Sequence, residues 1–571
     1  MYKVFTSLLS ATVLASLAAA FPAPSPTLEE RAAKTSVVIP QGTIVGSVSN
    51  NVENYGGIPF AQAPVGKLRL KPPQRLTSSL GTFDATGAGP SCPQMFFSTE
   101  GDLITAVLGN LINTPLFQTV TGQTEDCLTM RVQRPKGTKA DAKLPVLFWI
   151  FGGGFELGSP QMYDASSLVS NGVSQGKPFI FVSVNYRVGG FGFMPGKEVL
   201  ADGAANLGLL DQRMGLEWVQ DNIALFGGDP EKVTIWGESA GAISVFDQMA
   251  LYNGNNTYKG KKLFRAAIMN SGSVVPAQPV DCGRCQDTYN TVVKAAGCAA
   301  AKDTLGCLRD ADYKTFLNAA NSVPGILGYT SVSLSYLPRP DGVVLTDSPD
   351  VLALGGKYAA VPMIIGDQED EGTLFSLFQP NITTTDKLVD YIWKVLFPDV
   401  TRDDIVGLVN TYDSSVAAGS PFNTGDFNNI YPQFKRLAAI LGDIVFTLTR
   451  RIFLESALAA NPGVPAWSYL SSYDRGTPVL GTFHASDILQ VFYGVLPNYA
   501  SRAIQSYYIS FVHTMDPNGG TGAGADFAPW PQWKESRQLM QFWNNRSNLL
   551  ADDFRSESQK YLSSHASVLV I

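Results

Sequence analysis

Thr234-Ile-Trp-Gly-Glu-Ser-Ala-Gly241 is the stretch that decides how this chain reads. An apolar, strand-like run from Val233 to Trp236 ends in Gly-x-Ser-x-Gly, and Ala240, Gly241, Ala242, Ile243, Val245 and Phe246 then follow at helical spacing. A serine on a tight strand-to-helix turn is pushed out above the sheet. Gly237 and Gly241 remove the side chains that would collide across that turn. The backbone N–H of Ala240 would open the helix, already aimed at a developing oxyanion. With 54 glycines in the chain, an ordinary Gly-Ser turn gives the same letters, so the surroundings have to decide.

Upstream, Leu144-Pro-Val-Leu-Phe-Trp-Ile-Phe151 is a continuous apolar strand of the kind buried on both faces of a parallel sheet. It runs into Gly152-Gly153-Gly154-Phe155, where backbone N–H groups can approach a ligand that any Cβ would obstruct. A Gly-rich loop followed downstream by the serine turn is the order an oxyanion hole requires, which nominates Gly153, Gly154 and Ala240 as its donors. Phe179 to Arg187 reads as the next buried strand and Asn206 to Phe226 as a helix. Phe264 to Ser273 reads as the strand after the serine turn. Strands alternating with helices indicate a mostly parallel α/β sheet. Thr35 to about Phe83 reads as an N-terminal β ribbon followed by a proline-ruled loop.

The 571 residues, 45% of them hydrophobic, allow a large core. A net charge of -7 without long like-charge runs argues against nucleic acid and against an anionic membrane surface. Lys3, an apolar run from Leu8 to Leu17 and Ala18-Ala-Ala20 read as a secretory signal over residues 1–20, and the proline-rich residues 21–34 as a leader. No later segment has an apolar run of about 18 residues, so release without a transmembrane anchor is expected. Secretion makes Cys92, Cys127, Cys282, Cys285, Cys298 and Cys307 disulfide candidates. Nearest-neighbour pairing would join them in that order, although several connectivities are open. A metal site at Cys282-x-x-Cys285 is disfavoured by the oxidising compartment and by a total of three histidines. Sequons at Asn255, Asn381 and Asn545 predict glycosylated surface positions.

Between Cys92 and Cys127, the residues Leu103, Ile104, Val107, Leu108, Leu111 and Ile112 form an apolar stripe at helical spacing, stopped by Pro115. A lid over an apolar pocket and a helix packed permanently on the core both fit this stripe. A serine nucleophile also needs a base. His513 lies in an apolar helical run and His565 near the C-terminus, both structural positions. His484 sits in Gly481-Thr-Phe-His-Ala-Ser-Asp487, a loop after the strand Ala466–Ser471 from which an imidazole can reach the sheet edge. The orienting carboxylate should lie between the two, and Asp367, Glu369, Asp370 and Glu371 compete after the strand Val361–Gly366.

Phe226 to Gly241 and Glu125-Asp-Cys-Leu-Thr-Met130 closely resemble the two signatures of type-B carboxylesterases and lipases, which have the α/β-hydrolase fold. Asn185-Tyr-Arg187, Asn206-x-Gly-Leu-x-Asp-Gln-Arg213 and Arg339-Pro-Asp-Gly342 are similar too, so the resemblance covers nearly the whole mature chain. Arg131 departs from the second signature, which usually has a small polar residue there. The resemblance implies a single catalytic domain over 35–571, with 92–127 as a disulfide-closed lid loop. It also chooses Glu371 among the four carboxylates, because Gly-Thr follows it, and leaves the other three as a solvated acidic loop. The implied reaction is ester hydrolysis by Ser239, His484 and Glu371 through an acyl-enzyme, with neither metal nor cofactor.

The likeness to secreted fungal lipases and sterol esterases, with Leu374, Phe375, Leu377 and Phe378 after Glu371, favours long-chain acyl esters met at a lipid–water interface. A carboxylesterase for small soluble esters is the alternative. A choline esterase is disfavoured because the Cys92–Cys127 loop has no tryptophan. A non-catalytic adhesion ectodomain of the same fold would have lost the nucleophile that is present here. Monomer and homodimer are both compatible with the sequence.

Overall fold

The structure is a computed structural model that describes residues 33–96, 122–493, 497–519 and 527–571. The signal segment and the stripe Leu103–Ile112 lie outside the described residues. Ala33 and Lys34, read above as the end of the leader, instead begin the first strand, where they pair with Val48 and Ser47.

The chain is built on one 13-stranded sheet. Its N-terminal edge is the antiparallel ribbon β1 (Ala33–Ile39), β2 (Gly42–Ser49) and β3 (Val52–Pro59), with the short β4 (Gly81–Asp84) beside β2. β5 (Thr129–Pro135) joins that ribbon to the sheet's centre. The centre comprises β6 (Leu144–Ile150), β7 (Ile180–Val184) and β8 (Gly228–Glu238). β9 (Thr257–Tyr258) and β10 (Lys261–Lys262) form a separate small hairpin. The sheet then continues through β11 (Ala266–Asn270), β12 (Met363–Gln368), β13 (Ala466–Ser471), β14 (Gln538–Phe542) and β15 (Ser547–Ala551).

The spatial order β7-β6-β8-β11-β12-β13-β14 is parallel throughout, and the antiparallel β15 closes the far edge. This is the mostly parallel α/β sheet expected. Helices cover both faces of its centre, which is why β6 and β7 have no alternation of polar and apolar residues. Every residue of β7, and all of β6 after Leu144, is buried. The helix Leu207–Asn222, continued by a 3-10 turn to Phe226, connects β7 to β8. β8 starts earlier than the apolar run suggests, at Gly228, which pairs with Leu144 ahead of a register shift.

In parallel α/β sheets, ligand sites collect where strands end and helices begin. β8, β12 and β13 point the same way, so the loops that follow them open on the same edge. Cys92 is bonded to Cys127, Cys282 to Cys285 and Cys298 to Cys307. Asn255, Asn381 and Asn545 are all exposed. Among the described residues no helix is long and apolar enough to cross a membrane.

Candidate active site

Ser239 stands between β8 and the helix Ala240–Gly254 with φ 57° and ψ −128°, a conformation that L-residues avoid. Close packing forces it. A Cβ on Gly237 would lie 2.3 Å from the Gly241 carbonyl carbon, and one on Gly241 would lie 2.1 Å from the Ile150 oxygen. The Ser239 N–H donates to the Asn270 carbonyl at 2.9 Å and its own carbonyl starts the helix by accepting from Ile243, so both sides of the turn are held.

Three loops bring the remaining groups to that serine. His484 Nε2 lies 2.8 Å from Ser239 Oγ, and its Nδ1 lies 2.5 Å from Glu371 Oε2. Glu371 Oε1 in turn accepts the Gln368 N–H at 2.6 Å, which fixes the carboxylate at the end of β12. The rings of Phe375 and Phe446, 5.0 and 4.6 Å from the imidazole, keep water from it. At the end of β6, Gly153 and Gly154 have φ of 110° and 62° and bend the chain over the serine turn. Among the described residues no acceptor engages the N–H of Gly153, Gly154 or Ala240. A hydroxyl, an imidazole and a buried carboxylate in series, beside free amides, form an arrangement able to attack a carbonyl carbon and hold the resulting oxyanion.

Comparison with known proteins agrees with this geometry. The model of the carboxylesterase family matches residues 33–561. The chain belongs to the carboxylesterase family. It is 61% identical over 550 residues to a secreted triacylglycerol lipase of Gibberella zeae, covering 96% of this chain and 93% of that one. It is 62% identical over 539 residues to a secreted lipase of Botryotinia fuckeliana, covering 94% of each. Among solved structures, EstA of Aspergillus niger superposes with a TM-score of 0.79 at 26% identity, over 94% of this chain and 99% of that one. This carboxylesterase is therefore a carboxylic ester hydrolase of α/β-hydrolase fold, and the secretion expected from its first residues agrees with the names of both relatives.

The three other acids of the carboxylesterase's Glu371 loop correct the expectation of a solvated acidic stretch, because all are buried and engaged. Asp367 bonds Arg450 at 2.8 Å and Glu369 bonds Arg475 at 2.7 Å. Asp370 accepts from Ser420 Oγ, the Phe422 N–H and the Thr482 N–H at 2.8 to 3.0 Å, while its own N–H donates to the Thr482 carbonyl. Asp370 thus staples the loop of Glu371 to the loop of His484. No sequence periodicity signals that role, because neighbouring carboxylates look alike until their partners are placed. His513 Nε2 meets the Pro178 carbonyl and His565 stacks on Tyr561, so neither approaches Ser239.

Sequence reasoning also passed over Glu238, the residue between Gly237 and Ser239 in the motif itself. Its Oε1 lies 3.4 Å from His484 Nε2. Burial pushes the Glu238 carboxyl up to about 8, with His484 pulling the other way. Burial would lower the proton affinity of His484, but Glu371, then Glu238 and Asp487, outweigh it and raise the imidazole to about 9. A histidine accepts a proton only when neutral, so kcat/KM should rise with pH along a limb lying above the ordinary histidine value of about 6.5. Glu238→Gln removes one facing carboxylate and is expected to move that limb to lower pH. A limb that stays in place or moves upward in a pH–rate series would contradict this reading of the site's electrostatics.

Proposed function

We propose that this carboxylesterase is a secreted lipase that hydrolyses long-chain acyl esters, triacylglycerols foremost, with Ser239 as nucleophile, His484 as proton carrier and Glu371 as its orienting carboxylate. The observation that carries the reading is the continuous bonding from Ser239 Oγ through His484 to Glu371, at 2.8 and 2.5 Å. Ser239 Oγ attacks the ester carbonyl while its proton passes to His484 Nε2, and Glu371 stabilises the imidazolium that forms. The oxyanion is held by the N–H groups of Gly153, Gly154 and Ala240. As the tetrahedral adduct collapses, Nε2 returns the proton to the departing alkoxide and leaves an acyl group on Ser239. Water then repeats the sequence, releasing the acid and restoring the serine.

Residues 35–571 act in this reading as one catalytic unit, of which the 92–127 loop is a part. The acyl preference is supported by the apolar residues beside the triad and by the names of the two fungal relatives. Phe375, Leu377, Phe378, Phe446, Val479 and Leu480 belong to one buried cluster flanking Glu371 and His484. Measuring rate against concentration for a sparingly soluble ester, carried across its solubility limit, tests the lipase assignment. An abrupt rise when droplets form is the expected result. Saturation below the limit with no rise above it would instead mark an esterase for dissolved substrates.

A further inference from the structure

Glu156 is a buried acid on the glycine loop that the reaction above leaves without a role. It follows Gly154 by two residues and is fully buried. Its Oε2 accepts the N–H of Ile326 at 2.8 Å, while Oε1 has no partner among the described residues. Burial pushes the carboxyl up to about 8, only partly offset by the Ile326 bond, so it is neutral at neutral pH. An acid with one orphan oxygen costs stability relative to an apolar residue of the same size.

Ile326 gives that acid a purpose. A Cβ placed on Gly154 would stand 2.5 Å from Ile326 Cδ1, so the isoleucine fills the space directly outside the glycine. Ile326 is itself buried and belongs to the same buried cluster as Phe375 and Phe446. The loop's inner face is held by two bonds of 3.1 Å, from the N–H groups of Glu156 and Leu157 to the Gly153 carbonyl. Gly154 itself has no side chain with which to be held, so its aim depends on what presses against it.

We propose that Glu156 is a positioning residue for the oxyanion hole: its carboxyl grips the Ile326 N–H, seats the Ile326 side chain against Gly154, and thereby fixes the direction of the Gly153 and Gly154 N–H groups. This rests on the reading of those glycines as oxyanion donors. Full negative charge on the substrate oxygen exists only in the tetrahedral species, so a misaimed hole lowers kcat more than it raises KM.

Three variants separate this role from simple stability. Glu156→Gln keeps an acceptor for the Ile326 N–H, Glu156→Leu removes it at similar volume, and Ile326→Ala removes the pressing side chain but leaves the carboxyl bond. Each is assayed for kcat and KM on a soluble short-chain p-nitrophenyl ester, for melting temperature, and for affinity toward an alkyl trifluoromethyl ketone. That ketone takes up the Ser239 hydroxyl as a tetrahedral oxyanion. Glu156→Gln should stay within about 3-fold of wild type, whereas Glu156→Leu and Ile326→Ala should lose about 10- to 100-fold in kcat and in ketone affinity, with KM nearly unchanged. Leu and Ala variants that fold and keep kcat and ketone affinity would overturn the proposal, as would a Gln variant as impaired as Leu. If Glu156→Leu does not fold, Glu156→Met, which likewise offers no oxygen to the Ile326 N–H, takes its place beside Ile326→Ala. A wild-type enzyme that binds the trifluoromethyl ketone no better than the matching methyl ketone would sink the oxyanion reading itself. A wild-type preference that survives intact in the variants would sink only the role of Glu156.

Discussion

Ser239→Ala is expected to lower kcat on the order of 10⁶-fold while the melting temperature stays close to that of wild type. The size follows from the proposed role of Ser239 as the group that bonds to substrate, with His484 and Glu371 acting through it. The stability forecast follows from what holds the turn. Gly237, Gly241 and the backbone bond to Asn270 shape the elbow, and none of them involves the Ser239 hydroxyl. Alanine must still adopt the strained φ of 57°, which serine already tolerates there. A variant retaining more than about a hundredth of the wild-type rate would be incompatible with a serine nucleophile.

Arg450→Ala is expected to cost about 3 to 5 kcal/mol of stability, measured as a fall in the urea unfolding midpoint. Arg450 lies on the helix Leu448–Ala460, is about 1% exposed, and bonds Asp367 on β12 and both oxygens of Asp552 beyond β15, each at 2.8 Å. Arg451 adds a further bond of 2.8 Å to Asp552. Burial would raise the Asp552 carboxyl, but the two guanidiniums, Arg450 first, hold it down to about 2. Because that folded value lies below the unfolded one of about 3.8, the stabilisation is present above pH 4 and lost as pH falls toward 2. Removing Arg450 strands the Asp367 carboxylate inside the protein, on the strand that leads to Glu371, and leaves Asp552 with only Arg451 and Trp533 as partners. The exposed pair Lys394 and Asp390 gives the contrast, and Lys394→Ala should leave the midpoint where it is. Equal effects from the two substitutions would show that burial of the Arg450 cluster is not what makes it matter.

Much of the architecture could be read from the chain because local and long-range signals agree. β6, β7 and the part of β8 from Val233 to Trp236 are buried on both faces and therefore spell largely apolar runs. The serine turn needs small residues at fixed offsets, so it leaves a pattern in the letters. The family signatures carried more than recognition. Arg187 of Asn185-Tyr-Arg bonds Asp211 at 2.7 Å, and Asn206 exchanges bonds of 2.8 and 3.0 Å with the backbone of Arg339. Motifs quoted separately from the sequence thus turn out to be each other's buried partners.

What stayed hidden was the sorting of like residues. Four carboxylates within five positions at the end of β12 have four different partners, and only tertiary contacts distinguish Glu371, which meets His484, from Asp370, which staples the two loops. Glu238 and Glu156 were visible as letters in or beside the motifs, yet the burial of Glu238 against His484 and of Glu156 without a cation are properties of the fold. Charge in a sequence reads as solvent exposure by default, and that default fails where a site is being built.

Labelling with a fluorophosphonate ester, followed by intact-mass and peptide analysis, is the most direct test of the Ser239–His484–Glu371 chain. The account predicts one adduct per chain, located on Ser239, with labelling slowed by orders of magnitude in His484→Ala and absent in Ser239→Ala. An adduct on a different residue, or undiminished labelling after His484 is removed, would contradict it.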